Sequence, residues 1–173
     1  MKEITERDFY NNVTDIIIFK YLKPEEIKQL LSICRFLSFQ ENEKIIAKGE
    51  LSPNLYAVIE GNVNVAVPEK DGKSVFISTI GKGDVFGEAG IFLKVKRTAD
   101  VVSSDATTIL MIPRDKIIGY IKSHPEAGIK ILMLVIYSLL KKLKEANLEL
   151  AFERKADINQ SDIDSMVEEV MKD

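Results

Sequence analysis

The chain has 173 residues, 46% of them apolar and 29% charged, with a formal net charge of −3; this is the balance of an ordinary globular domain with enough chain to bury a core, without the basic excess of a nucleic-acid-coating protein. Its single cysteine, Cys34, excludes an intrachain disulfide and any four-cysteine metal site within one chain. The N-terminal "MKEITERDFYNN" lacks the apolar core of a signal peptide, and the longest apolar run, "ILMLVIYSLL" at 131–140, is too short to span a bilayer, so a cytoplasmic protein without a membrane span is expected.

In chain order, residues 13–33 read as helix. Pro24 followed by Glu25 and Glu26 suits a first helical turn, and Leu22, Ile27, Leu30, Leu31 and Cys34 then share one face. Cys34 reads as a small buried hydrophobe. From 35 to 113 short β-prone runs recur, each bounded by Gly, Asn, Asp or Pro: "RFLSF", "KIIA", "LYAVI", "VNVAV", "VFISTI", "DVF", "ADVVS" and "TTILMI". This spacing predicts a mainly-β fold, a small antiparallel barrel or jelly roll of roughly eight strands, flanked by helices. "YAVIEGNVNVAV" reads as a hairpin turning at Glu60-Gly61-Asn62.

Residues 114–150 return to helix: a short one interrupted near His124-Pro125, then a long one from about 126 to 150. In the long helix Ile129, Leu132, Ile136, Leu139, Leu143, Ala146 and Leu150 alternate three- and four-residue steps, the seam of a coiled coil. Met133, Val135, Tyr137 and Leu140 form a second stripe on other faces. Two stripes predict two contacts, one on the barrel and one, through the seam, with a second chain in a parallel homodimer; a helix enclosed within its own domain is the alternative. The expected organisation is therefore a domain over 1–150 and an acidic tail over 151–173, whose residues 152–173 carry a net charge of −4.

The segment "GDVFGEAGIFLKVKRTADV", residues 83–101, concentrates the chemistry. Gly87 lets backbone approach a ligand, residues 88–92 can form one helical turn whose N–H groups face an anion, and Arg97 adds a permanent, fork-shaped cation. Glu88 suits a pair of hydroxyls, as on a ribose, or an ion pair with Arg97. Together these spell a nucleotide; a barrel-edge loop with a surface Glu–Arg pair is the alternative from spacing alone.

"FGEAGIF" followed by "KRTADV" resembles the phosphate-binding cassette of cyclic nucleotide-binding domains, as found in bacterial catabolite activators, regulatory subunits of cyclic nucleotide-dependent kinases and cyclic nucleotide-gated channels. The resemblance extends in order over about residues 15–150, through the N-terminal helices, "LYAVIEGNVNVAV", "IGKGDVFGE" and "TTILMIPRDKI" with the helices after it. It implies an eight-stranded antiparallel jelly-roll barrel (a double-stranded β-helix) followed by a long C-terminal helix, and cAMP or cGMP as ligand. By position it implies Glu88 on the ribose 2′-hydroxyl, Gly87 and Ala89 as backbone donors around ribose and phosphate, and Arg97 on the exocyclic phosphate oxygen. Thr98 and Ala99 are implied beside phosphate or base, and a threonine after the arginine resembles members that accept cGMP as well as cAMP. Asn147, on the long helix, falls near the position that caps the base. "LKVK" at 93–96 departs from the family, which carries Gly or Pro near the end of this loop.

Nothing in the sequence supports catalysis or a metal site; His124, beside Pro125, reads as a helix-start residue. A DNA-reading domain needs at least about 50 residues, and the 22 after Ala151 are acidic where phosphate contact needs Lys and Arg, so DNA binding is not expected. The tail reads first as a frayed, solvated segment; alternatively, "INQSDIDSMV" resembles the docking peptide of flagellar motor switch proteins, with Gln160, Ile163 and Asp164 identical, which implies a protein partner of the response-regulator kind. The expected function is a cyclic nucleotide sensor that relays binding through its C-terminal helix to a partner. The alternatives are a nucleotide-independent dimeric scaffold and a binder of another small anionic effector.

Overall fold

The structure, a computed structural model, describes residues 13–69, 71–93 and 95–170, with side chains described as far as Phe152. Val13 and Thr14 are helical, a 3-10 turn follows at Ile17–Phe19, and helix α1 spans Pro24–Leu31. The single helix expected over 13–33 is thus divided. A residue preceding proline is driven out of the helical region, and Lys23 is extended, with φ −71° and ψ 156°. Glu26 then caps α1, its Oε2 accepting the Lys23 backbone amide at 2.7 Å.

Eight strands follow: β1 Arg35–Phe39, β2 Lys44–Ile46, β3 Leu55–Glu60, β4 Val63–Pro68, β5 Ser74–Ile80, β6 Val85–Phe86, β7 Asp100–Ser103 and β8 Thr107–Ile112. They form two four-stranded sheets, β1-β8-β3-β6 and β2-β7-β4-β5, and every pairing is antiparallel. This is the jelly roll expected from the strand spacing. A short helix α2, Ala89–Phe92, lies between β6 and β7, and α3, Arg114–Ser123, and α4, Pro125–Val170, follow β8.

The hairpin expected at Glu60-Gly61-Asn62 is not one. β3 pairs with β6 and β8, β4 pairs with β5 and β7, and the turn carries the chain from one sheet to the other. Within β3, Leu55 through Ile59 are all buried. Leu55, Ala57 and Ile59 face a core shared with the helices, whereas Tyr56 and Val58 face the barrel interior. Both backbone edges of β3 are taken, by β8 on one side and β6 on the other, so neither is left for its sequence neighbour β4. The turn is instead pinned from the β7–β8 connection, where Asp105 accepts from the Asn62 backbone amide and side chain, each at 2.9 Å. The hairpin that does form is β4–β5.

The chain divides into two compact units, residues 1–136 and 137–173, with the boundary inside α4. In the first unit, Ala127, Ile131 and Val135 of α4 are buried and join the core that holds α1, α3 and one face of β3 and β8. This i, i+4 stripe, and not the expected set of Met133, Val135, Tyr137 and Leu140, is the packed face. Of that set only Val135 is buried, and Met133 is 65% exposed. The seam residues Ile129 and Ile136 are exposed and Leu132 is half-buried. The second unit is a length of α4 on which Tyr137, Leu139, Leu140, Leu143, Leu148, Leu150 and Phe152 are exposed. Helix continues to Val170 instead of ending near 150. Gln160, Ile163 and Asp164 lie outside the residues whose side chains are described.

Candidate functional site

The site begins where β6 ends. Gly87 follows Phe86 with φ +80°, a backbone region that side chains disfavour. A Cβ there would stand 2.9 Å from Arg97 Nη1 and 3.0 Å from the Asn54 carbonyl oxygen. A Cβ on Gly90, inside α2, would stand 3.2 Å from both terminal guanidinium nitrogens and from the Ser52 carbonyl oxygen. Two glycines therefore leave the room that one guanidinium fills.

Arg97 is fixed first by its backbone: its amide donates to the Glu50 carbonyl at 2.9 Å, and the Gly49 amide donates to its carbonyl at 2.8 Å. Its Nη1 donates to the Gly87 carbonyl at 3.1 Å and its Nη2 to the Asn54 carbonyl at 2.6 Å. The guanidinium carbon lies 5.9 Å from the centroid of the Tyr56 ring, which stacks on Phe86 at 5.1 Å. The Tyr56 hydroxyl lies 3.1 Å from Ser52 Oγ. Burial pulls the guanidinium below its ordinary pKa, while Tyr56, Glu50 and Glu88 act to raise it; an arginine stays charged under such a shift.

Arg97 Nε is buried and has no hydrogen-bond partner among the described residues. A buried donor without an acceptor costs about 1–3 kcal/mol, and such costs persist at functional sites. Glu88, 5% exposed, stands at the N-cap of α2. The amides of Gly90 and Ile91 close that turn on the carbonyls of Gly87 and Glu88, each at 3.0 Å. The amides of Gly90 and Ile91 are therefore taken up within the turn, and the cation near it is the Arg97 guanidinium. A fork-shaped cation with an unsatisfied N–H, a glycine backbone and a buried carboxylate can receive an anionic group together with a hydroxyl donor.

Of the residues singled out in the sequence, Gly87, Glu88 and Arg97 come together in the first unit. Ala89 is the exposed first residue of α2, Thr98 is exposed, and Ala99 is half-buried just before β7. Asn147 is exposed in the second unit. The Arg97 anchor Asn54, and Ser52 and Tyr56 behind it, were not legible as site residues, because "ELSPN" reads only as a loop before β3. The hydrogen bond from Arg97 to Asn54 spans 43 positions. His124 lies away from this chemistry: its ring stacks on Tyr120 at 4.5 Å and its Nδ1 is 2.9 Å from Ser123 Oγ, at the end of α3. Among the described residues no cluster of three or more His, Cys, Asp or Glu side chains is placed to hold a metal ion, and no helix is long and apolar enough to cross a membrane.

The family model of the cyclic nucleotide-binding domain matches residues 36–124. The chain is 27% identical over 134 residues to a CRP-like cAMP-activated global transcriptional regulator of Mycobacterium tuberculosis, a match covering 78% of this chain and 58% of the relative. It is 31% identical over 118 residues to the cAMP-activated global transcriptional regulator CRP of Haemophilus influenzae, covering 68% and 51%. Among solved structures, the catabolite activator protein of Thermus thermophilus superposes with a TM-score of 0.67 at 26% identity, covering 79% of this chain and 62% of that one. The chain thus spans between half and two thirds of the length of these relatives.

Proposed function

The chain belongs to the cyclic nucleotide-binding domain family, and on that premise we propose that residues 1–150 form a sensor of cAMP or cGMP that relays ligand binding through α4, with 151–173 as an acidic tail. The observation that carries this reading is Arg97. Its guanidinium is seated between the Gly87 and Asn54 carbonyls while its buried Nε lacks an acceptor, beside the buried carboxylate of Glu88. In this reading the nucleotide supplies a phosphate anion and ribose hydroxyls. Arg97 takes the phosphate oxygen, Glu88 accepts from the 2′-hydroxyl, and Gly87 and Ala89 line ribose and phosphate. Thr98 and Ala99 stand beside the phosphate or base, and Asn147 contributes one donor and one acceptor toward the purine edge.

The relay works by differential contact: α4 shifts only by as much as the nucleotide favours one of its positions over another. The seam Ile129, Leu132, Ile136, Leu139, Leu143 and Leu150 pairs two chains, and Gln160, Ile163 and Asp164 dock a protein partner of the response-regulator kind. The tail's charge of −4 opposes phosphate contact.

Isothermal titration of protein verified to be free of nucleotide, with cAMP and with cGMP, tests the proposal. Binding of either in the micromolar range or tighter is expected. Absence of heat with both overturns the sensor reading and directs the search to another anionic effector or to a scaffold role. Arg97→Ala removes a charge-assisted contact of about 1.5–3 kcal/mol, so affinity should fall about ten- to a hundredfold; unchanged affinity would refute the placement of the phosphate.

A further inference from the structure

The first turn of α3 holds a residue of the wrong charge for its place. Arg114 is the first residue of that helix, and a helix N-terminus, with its positive partial charge, disfavours a cation. Its side chain turns elsewhere: Arg114 Nε donates to the backbone carbonyl of Ile91 at 2.7 Å. That carbonyl belongs to the C-terminal half of α2, where the partial charge is negative. Ile91 itself is 2% exposed and shares a core with Ile117 of α3.

The α2 turn is therefore held at both ends by arginines. At its start, Gly90 lies against the Arg97 guanidinium and Gly87 accepts from it; toward its end, Ile91 accepts from Arg114. The turn is also braced internally, by the amides of Gly90, Ile91 and Leu93 donating to Gly87, Glu88 and Ala89. A single braced turn moves as one piece, so a shift imposed at Arg97 arrives at Arg114, and Arg114 begins the helix that runs to α4. We propose that Arg114 is the positioning residue that couples the anion cassette to α3 and the start of α4. This rests on the sensor reading above for the identity of the anion, but not for the mechanical link.

Hydrogen–deuterium exchange of the full chain tests it in two arms. With cAMP or cGMP added, the native chain should show altered exchange over 89–93 and over 114–136. Arg114→Ala should keep nucleotide affinity within about threefold and keep the change over 89–93, but lose the change over 114–136. Arg114→Lys, which still offers an N–H donor, should restore it. Without nucleotide, Arg97→Gln should alter exchange over 114–123 in the native background and not in the Arg114→Ala background.

A full 114–136 response in Arg114→Ala overturns the proposal. So does loss of nucleotide binding in that variant, which would make Arg114 a binding residue, or equal effects of Arg97→Gln in both backgrounds. A native chain that binds neither nucleotide removes the sensor reading only, and the nucleotide-free arm then decides the role of Arg114.

Discussion

At the scale of single residues, the site is a problem of room and charge around one guanidinium. Gly87 has φ +80°, and any side chain on it meets Arg97 Nη1 and the Asn54 carbonyl within 3.0 Å. Gly87→Ala combines a left-handed backbone penalty of about 1–2 kcal/mol with displacement of Arg97. It should lower the urea midpoint of unfolding and weaken nucleotide binding together, which melts and titrations of one variant would show. Loss of binding with unchanged stability would mean that the arginine moves freely to make room. Cys34 offers a second check on the same scale. Its thiol donates to the Leu30 carbonyl at 3.1 Å, and burial pushes its pKa up to about 12. At pH 8 a thiol-disulfide reagent should therefore label the folded chain slowly and the urea-unfolded chain fast. That Gly87, Glu88 and Arg97 lie together was legible in the sequence, because they fall within eleven positions of one loop. Asn54 was not, because it contributes only a backbone carbonyl, and a carbonyl carries no side-chain signature.

At the scale of elements, all eight strands were legible from their runs and separators, whereas the pairing of β3 was not. A turn-rich tripeptide between two apolar runs gives the same local pattern whether the chain doubles back or changes sheet. What decides is which strands take the two edges of β3, and these, β6 and β8, are distant in sequence. The β3–β4 turn accordingly depends on Asp105, which accepts from the Asn62 amide and side chain and from Thr107 Oγ1. The Asn62 side chain foremost, then its backbone amide, holds the Asp105 carboxyl below its ordinary value. A carboxyl depressed in the folded state binds fewer protons than in the unfolded chain. It therefore contributes stability above its unfolded pKa of about 3.9, and that stability is lost as pH falls through the lower, folded value. Chemical melts between pH 7 and pH 2 should show Asp105→Asn with a shallower acid loss than the native chain. Parallel curves would remove Asp105 as a contributor.

At the scale of the whole molecule, α4 poses a question of solvation. Its 46 residues include a packed stripe, Ala127, Ile131 and Val135, buried in the first unit, and a seam whose members Ile136, Leu139, Leu143 and Leu150 are between 39% and 57% exposed. The three-four periodicity was plain in the sequence, but the face that packs on the barrel was not. Ala127 is too small to mark a stripe, and both stripes are apolar. Large aliphatic side chains at heptad spacing left in water cost free energy that a second helix recovers by knobs-into-holes packing. The expected outcome is that the chain sediments as a dimer. Leu139→Glu with Leu143→Glu, which places like charges across a parallel seam, should convert it to a monomer with an unchanged far-ultraviolet spectrum. Both substitutions lie outside the 36–124 span that matches the family and outside the Arg97 cassette. The monomeric variant should therefore still bind nucleotide, and any change in its affinity would measure how much of the binding free energy the pairing of two α4 helices supplies. A native chain that sediments as a monomer at concentrations well above those used for titration would leave the seam for a different partner and remove the homodimer from the reading.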